Sequence, residues 1–514
     1  MFREFLPEPT YSPGKLSPDP VDYCELIALS QVNHKCRRVA QEVLYSHVDL
    51  THTQSPDSKR RLTRAPFKFL RTMVDSKSPT GLGNKVKYLR FLTTQQTRDF
   101  QIEHLFAWLE GRLIACVQRS LHTEEQKYDW IQAIGAHNGF AALSVMFLFT
   151  PRIKVLDIGI VDSSYGCGDD PFLRVAAELN RLRELNLLPN MHSLTLQSQR
   201  SCVVSTVLLE PGFEKLLQFP ALKTLEIVNN KKPNVNYFEP IVDHTADLTP
   251  MWTAAHIETL TVRGFCDVDN LAYLLEHFPK LKSLTYFIRP AAWLYQSAIQ
   301  DMLDSIVEAL PRDVETIVIR CKANKHDFLD YDNAYSDYYN PWIFGDFTHL
   351  KTLELGGALK LYVDDLDLWS LPGDEKDMAI MMSMIPPCLE TLSYTPDRVA
   401  LDNHLGNPRD VSCALTLLLR RASKDPQSRL KHVTVPSCLW TPLKFRLFQH
   451  ELTPLGIQLV RRDPADECEE IHLVGFPNGD HLVDELELLD DQRAEIERMD
   501  SEEFEELTRA NREI

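Results

Sequence analysis

The residues able to do covalent or metal chemistry are present in this chain, but not at the spacings such chemistry needs. Asp330-Tyr331-Asp332-Asn333-Ala334 opens like a calcium loop. It has no acidic or amide ligand at the fifth place and no glycine at the sixth, where such a loop must turn sharply. His450-Glu451-Leu452-Thr453-Pro454 opens like the helix of a zinc protease, but proline stands where the second histidine is required. Gly166-Cys167-Gly168 is a turn without the lysine of a phosphate loop, no G-x-S-x-G segment occurs, and no spacing groups Ser, His and Asp as a triad. The expectation is a protein that binds and does no bond chemistry, with no cofactor and no metal. A catalytic site assembled from distant residues in a concavity is the weakest alternative.

Contact-forming chemistry is better represented. The segment Asp327–Phe347 holds five Asp, four Tyr, three Phe and one Trp in one connection. Tyr338 and Trp342 are candidate anchors for a partner, because large aromatic side chains on a loop supply contact area at low entropic cost. The aspartates would favour a basic partner segment. The alternative is a loop that covers an edge of the molecule with its own aromatics.

A repeat announces the elements that must position such contacts. Ten six-residue units read apolar-x-x-apolar-x-apolar, usually with a charged residue second. They start at Val86, Ile153, Leu182, Leu222, Ile257, Leu281, Val314, Leu350, Leu389 and Leu430. The starts lie 67, 29, 40, 35, 24, 33, 36, 39 and 41 residues apart. Recurrence at this period indicates stacked supersecondary units. The period-two alternation at the end of each unit reads as a short strand. Helical patterns fall between, as at Val268–Phe278 and Ser297–Leu310. Strand and helix in alternation predict an α/β solenoid with parallel strands and helical crossovers. The 67-residue gap holds helical stretches at Gln101–Leu121 and Glu124–Phe149, with room for one degenerate repeat.

The pattern sorts side chains by face. First, fourth and sixth places should enter the core. Third places read Thr224, Thr259, Ser283, Thr316, Thr352 and Thr391, as suits a strand with one wet face. The fifth and seventh places vary: Asp157, Asn186, Glu226, Arg263, Arg320 and Glu354. Variable polar residues on a rigid concave sheet make Glu226, Arg263, Arg320 and Glu354 the candidate target contacts.

Formal net charge is −18, but its distribution is uneven. From Asp463 to Ile514 there are 19 Asp or Glu against four Arg, a net of −15, which leaves −3 for the first 462 residues. The chain therefore divides into a proline-rich N-terminus expected to be disordered (1–20), two short helices (21–50), a connector with a helix at Phe67–Val74 (51–85), the repeat body (86–462) and an acidic tail (463–514). A basic stripe of the kind nucleic acid requires is missing. No apolar run approaches the length of a membrane span. The eleven cysteines show no C-x-x-C pair and there is no N-x-S/T sequon, which together point to the cytosol or nucleus. The run Lys59, Arg60, Arg61, Arg64 and Lys68 is read as a solvated linker face, with a nuclear import signal as the alternative.

Two segments resemble known families. The recurring L-x-x-L-x-L unit resembles leucine-rich repeats of the irregular, long-repeat kind. The segment 25–50, with Leu26, Leu29 and Val32, then Arg37-Arg38-Val39-Ala40, then Leu44-Tyr45 and Val48-Asp49-Leu50, resembles the second half of an F-box as found in many fungal proteins. At the place of that motif's first helix the chain reads Leu6-Pro7-Glu8-Pro9. The pairing implies a substrate receptor of a Skp1–cullin–F-box ubiquitin ligase. A Skp1-like adaptor would be held by Leu26, Leu29, Val32, Val39 and Leu44, and an unknown protein target by the solenoid. A free-standing interaction scaffold unrelated to ubiquitin is the alternative from the same residues, as is a plain end cap of the solenoid for 21–50.

Overall fold

The computed structural model describes residues 45–50, 64–75, 79–94, 100–121, 123–136, 139–161, 181–198, 217–229, 254–264, 268–288, 305–321, 344–357, 386–396, 428–436 and 442–462, with single helical residues at 32, 36, 39, 40, 42 and 419. Twelve strands form one sheet in strict sequence order, every pair parallel. They are β1 (His47–Asp49), β2 (Tyr88–Thr94), β3 (Val155–Val161), β4 (Ser193–Ser198), β5 (Thr224–Asn229), β6 (Thr259–Gly264), β7 (Ser283–Ile288), β8 (Thr316–Cys321), β9 (Thr352–Gly357), β10 (Thr391–Pro396), β11 (His432–Pro436) and β12 (Gln458–Arg462). The α/β solenoid-like architecture expected from the repeat is present.

The core follows the pattern place by place. First, fourth and sixth residues are buried in unit after unit, as in Ile153, Leu156 and Ile158, or Leu281, Leu284 and Tyr286. Each such side chain contributes roughly 1.5–3 kcal/mol by leaving water. A single unit cannot enclose three of them, so stacking on a neighbour is what makes the unit stable. A turn leads into each strand from β2 to β10. The first-place N–H donates to the carbonyl three residues back, as in Leu222 to Phe219 (3.1 Å), Leu281 to Phe278 (3.0 Å) and Leu350 to Phe347 (3.5 Å). Those turn-opening phenylalanines are themselves buried. The recurrent element is thus a buried residue, a tight turn and then the strand.

One unit is misplaced in the sequence reading. Residues 181–184, which include Leu182, are helical, and the fourth strand lies at Ser193–Ser198. Its unit starts at Met191, with Leu194 and Leu196 in the core. "RLRELNL" is the end of a helix. The Leu187 N–H donates to Leu182 O (2.9 Å) and the Asn186 N–H to Arg183 O (2.8 Å). Asn186 has φ 53°. These are the bonds of a Schellman cap, with asparagine in the left-handed position that ends the helix. Asn186 therefore closes a turn and has no place in the polar columns of the sheet.

The long gap after β2 contains no strand among its described residues. Tyr88 pairs directly with Val155, so no degenerate repeat intervenes. Instead a helical layer covers the start of the sheet: α1 (Arg64–Asp75), α2 (Pro79–Gly83), α3 (Phe100–Ser120), α4 (Glu124–Gly135) and α5 (Gly139–Ser144). The helix expected at Phe67–Val74 lies within α1, whose Phe67, Leu70 and Met73 are buried. Trp130 of α4 is fully buried, and its indole N–H reaches Ala141 O and Ser144 Oγ, each at 2.9 Å. Phe140 of α5 stacks on Phe91 of β2 (6.3 Å between centroids). At the other end, α7 (Pro442–Leu452) leads into β12, and α6 (Val268–Glu276) is the crossover between β6 and β7. No described helix is long and apolar enough to cross a membrane.

Candidate functional site

Strand alternation places the third, fifth and seventh residues on the face opposite the core. The fifth-place row runs Asp49, Arg90, Asp157, Thr195, Glu226, Thr261, Thr285, Val318, Glu354, Ser393 and Thr434, each in register with the next. The seventh-place row includes Gln197, Val228, Arg263, Phe287, Arg320, Gly356 and Thr395. Parallel strands lie about 4.8 Å apart, so these side chains touch across strands.

The contacts form two clusters. In the first, Arg90 Nε is 2.9 Å from Asp157 Oδ2, Arg90 also approaches Asp49 (3.9 Å), and the Gln197 amide donates to Asp157 Oδ1 (2.8 Å). Arg90 and Asp157 are both buried. Burial pushes the Asp157 carboxyl up to about 6, against the opposing pull of Arg90 and the Gln197 hydrogen bond. Burial also disfavours the Arg90 charge, but Asp157, Asp49 and their neighbours outweigh it and hold the guanidinium above its ordinary range.

The second cluster contains four of the sequence-predicted target contacts. Arg263 Nε donates to Glu226 Oε1 (2.8 Å), and Thr195 Oγ1 donates to Glu226 Oε2 (3.2 Å). Arg320 pairs with Glu354. Between the two pairs lies Phe287, with the Arg263 guanidinium 4.6 Å and the Arg320 guanidinium 5.6 Å from its ring centroid. A cation over a ring face is drawn to the negative π-surface, which fixes both arginines. Glu226, Arg263, Arg320 and Glu354 are therefore brought together, but as two internal ion pairs around one ring. They form a neutral strip of paired charges on the face away from the core, not four unsatisfied charges.

Phe287 and Gly356 were missed in the sequence. Gly356 stands opposite Arg320, and a Cβ there would lie 3.3 Å from Arg320 Cγ and 2.9 Å from Thr395 Oγ1. The glycine leaves room for the arginine stem. A glycine pair ending a strand is a visible sign of close approach, and Gly356-Gly357 carries it.

At the N-terminal end, Val32 and Val39 have helical backbone and are 68% and 37% exposed, while Ala40 is buried. Leu26, Leu29, Leu44, Tyr338 and Trp342 lie outside the described residues. From the aromatic segment, only 344–347 are described: Phe344 and Phe347 are buried in the core at the turn that leads into β9. At the close of the F-box-like segment, Val48 lies in β1, which pairs with β2, and the Leu50 N–H just beyond it donates to Arg90 O (2.9 Å). Among the described residues, no group of three or more His, Cys, Asp or Glu could hold a metal ion. No known family model matches the chain, and no curated protein matches it.

Proposed function

We propose that this protein is the substrate-recognition subunit of a Skp1–cullin–F-box ubiquitin ligase. The observation that carries the reading is the pairing of two surfaces on one chain. Val32 and Val39 are large apolar side chains left exposed in the N-terminal helical segment, and the twelve-stranded sheet carries in-register polar side chains on the face away from its core. Exposed valines cost free energy in water unless a partner covers them. The segment around them carries the F-box-like residues. In this reading, residues 21–46 hold a Skp1-like adaptor and the strip around Phe287 receives a protein target. Ubiquitin transfer then occurs by proximity, with the target lysine held at high local concentration near an enzyme elsewhere in the assembly. No residue of this chain does bond chemistry.

The test is binding of purified Skp1-like adaptor to the full chain and to Val32→Asp and Val39→Asp. Both positions are exposed, so the variants should keep the parent melting profile. The expected outcome is stoichiometric binding by the parent and at least tenfold weaker binding by each variant. No binding by the parent would sink the reading. The second reading, an interaction scaffold unrelated to ubiquitin, would then stand. It is favoured by Leu6-Pro7-Glu8-Pro9, because Pro9 is unsuited to continuing a helix at that place.

A further inference from the structure

The second place of each unit forms a row along the rim where the strands begin. It runs Lys87, Lys154, His192, Lys223, Glu258, Lys282, Glu315, Lys351, Glu390 and Lys431. Main-chain hydrogen bonds link successive members: Lys154 N–H to Lys87 O (2.7 Å), His192 to Lys154 (2.9 Å), Lys223 to His192 (2.9 Å), and so on to Lys431. From Lys223 onward the signs alternate, and the charges pair across strands. Glu258 accepts from Lys223 (2.8 Å) and Lys282 (3.3 Å), Glu315 from Lys351 (2.6 Å), and Glu390 from Lys431 (2.7 Å).

The alternation fails at β2–β4. There the row reads Lys87, Lys154, His192, and two residues earlier in the first two units stand Lys85 and Arg152. Lys87, Arg152, Lys154 and His192 are exposed. None of Lys85, Lys87, Arg152 and Lys154 has an ion-pair partner among the described residues. Desolvation by the packed rim and the charge of Lys154 hold the His192 imidazole below its usual range. Among the described residues, these four cations lack ion-pair partners, whereas Lys223, Lys282, Lys351 and Lys431 farther along the rim are each paired with a glutamate.

The same chain carries 19 acidic residues against four arginines in its last 52 residues. We propose that this acidic segment, 463–514, docks on the rim formed by Lys85, Lys87, Arg152 and Lys154. Reach is sufficient. The segment leaves the sheet at β12, nine strands from β3, or about 43 Å at the usual strand spacing. The random-coil end-to-end distance for a segment of this length is roughly 40 Å, and like charges along such a coil lengthen it. Tethering places the segment at an effective concentration of the order of millimolar. Docking removes the repulsion among the rim cations and shields part of the tail's charge. An acidic segment of another protein must displace the tail to reach this rim.

Carbodiimide cross-linking of the full chain, which joins lysine amines to carboxylates in contact, tests the proposal. It is run at low and high salt, with the monomer fraction analysed by mass spectrometry. The expected result is tail carboxylates joined mainly to Lys85, Lys87 and Lys154, lost at high salt where surface charges are screened. The paired rim lysines Lys282 and Lys351 serve as internal controls. Tail links spread evenly over all lysines, or present only in a cross-linked dimer, would overturn it. A second readout is the full-length Lys87→Glu/Lys154→Glu variant. Its hydrodynamic radius at low salt should rise toward the parent's high-salt value, and an unchanged radius would also overturn the proposal.

Discussion

Arg90 and Asp157 are the most enclosed charges on the face away from the core, and their energetics are set by mutual need. A buried ion lacking its partner is far more costly than a buried pair. Asp157 has its carboxyl raised to about 6. An acid raised in the folded state holds its proton more tightly when folded. Its contribution to stability is therefore present at low pH and is lost as pH rises through about 6. Arg90→Ala removes the main opposing cation and drives that value higher. The expected cost to local stability is roughly 3–5 kcal/mol at about pH 8, and much less at about pH 5, where Asp157 becomes neutral. Amide exchange of β2–β4, corrected for intrinsic rates, measures this; equal losses at the two pH values would contradict it. The candidate contacts Glu226, Arg263, Arg320 and Glu354 were visible in the sequence as polar residues in outward places. Their pairing was not, because it joins fifth to seventh places across strands and depends on register. Once adjacent units are aligned, a glutamate diagonal to an arginine is the signal that could have found it.

At the scale of elements, the apolar-x-x-apolar-x-apolar pattern located most strands, because each needs three core side chains on one face. It failed where another structure satisfies the same pattern. Leu182, Leu185 and Leu187 have the spacing of a strand unit, but Asn186 in the left-handed region marks the end of a helix. That conformation suits glycine or asparagine and excludes β-branched residues. Asn186→Gly should be nearly neutral, and Asn186→Val should cost about 1–2 kcal/mol, read from the shift in denaturant midpoint. Equal effects of the two substitutions would show that the left-handed cap does not matter. The end strands escaped the pattern for different reasons. β1 is only three residues long and hides inside the F-box-like segment, and β12 has Gly456 where the first apolar residue should stand. Helices are harder to place than strands here. The helical insertion after β2 reads as amphipathic helix, but its role as a cover for the first strands depends on long-range packing around Trp130.

At the scale of the whole molecule, the sheet is one continuous surface with a defined division of labour. Its core face is apolar, its rim carries an ordered row of charge, and its other face is largely polar, with Glu226–Arg263 and Arg320–Glu354 paired internally. A surface with its charges already paired selects a partner by shape and hydrogen bonding more than by long-range attraction. The receptor reading requires that this face stay free while the adaptor is bound elsewhere. Amide hydrogen exchange of the full chain with and without an equimolar Skp1-like adaptor tests that requirement directly. New protection is expected only over residues 21–46, with β5–β9 unchanged. Protection over β5–β9, or none anywhere, would contradict it.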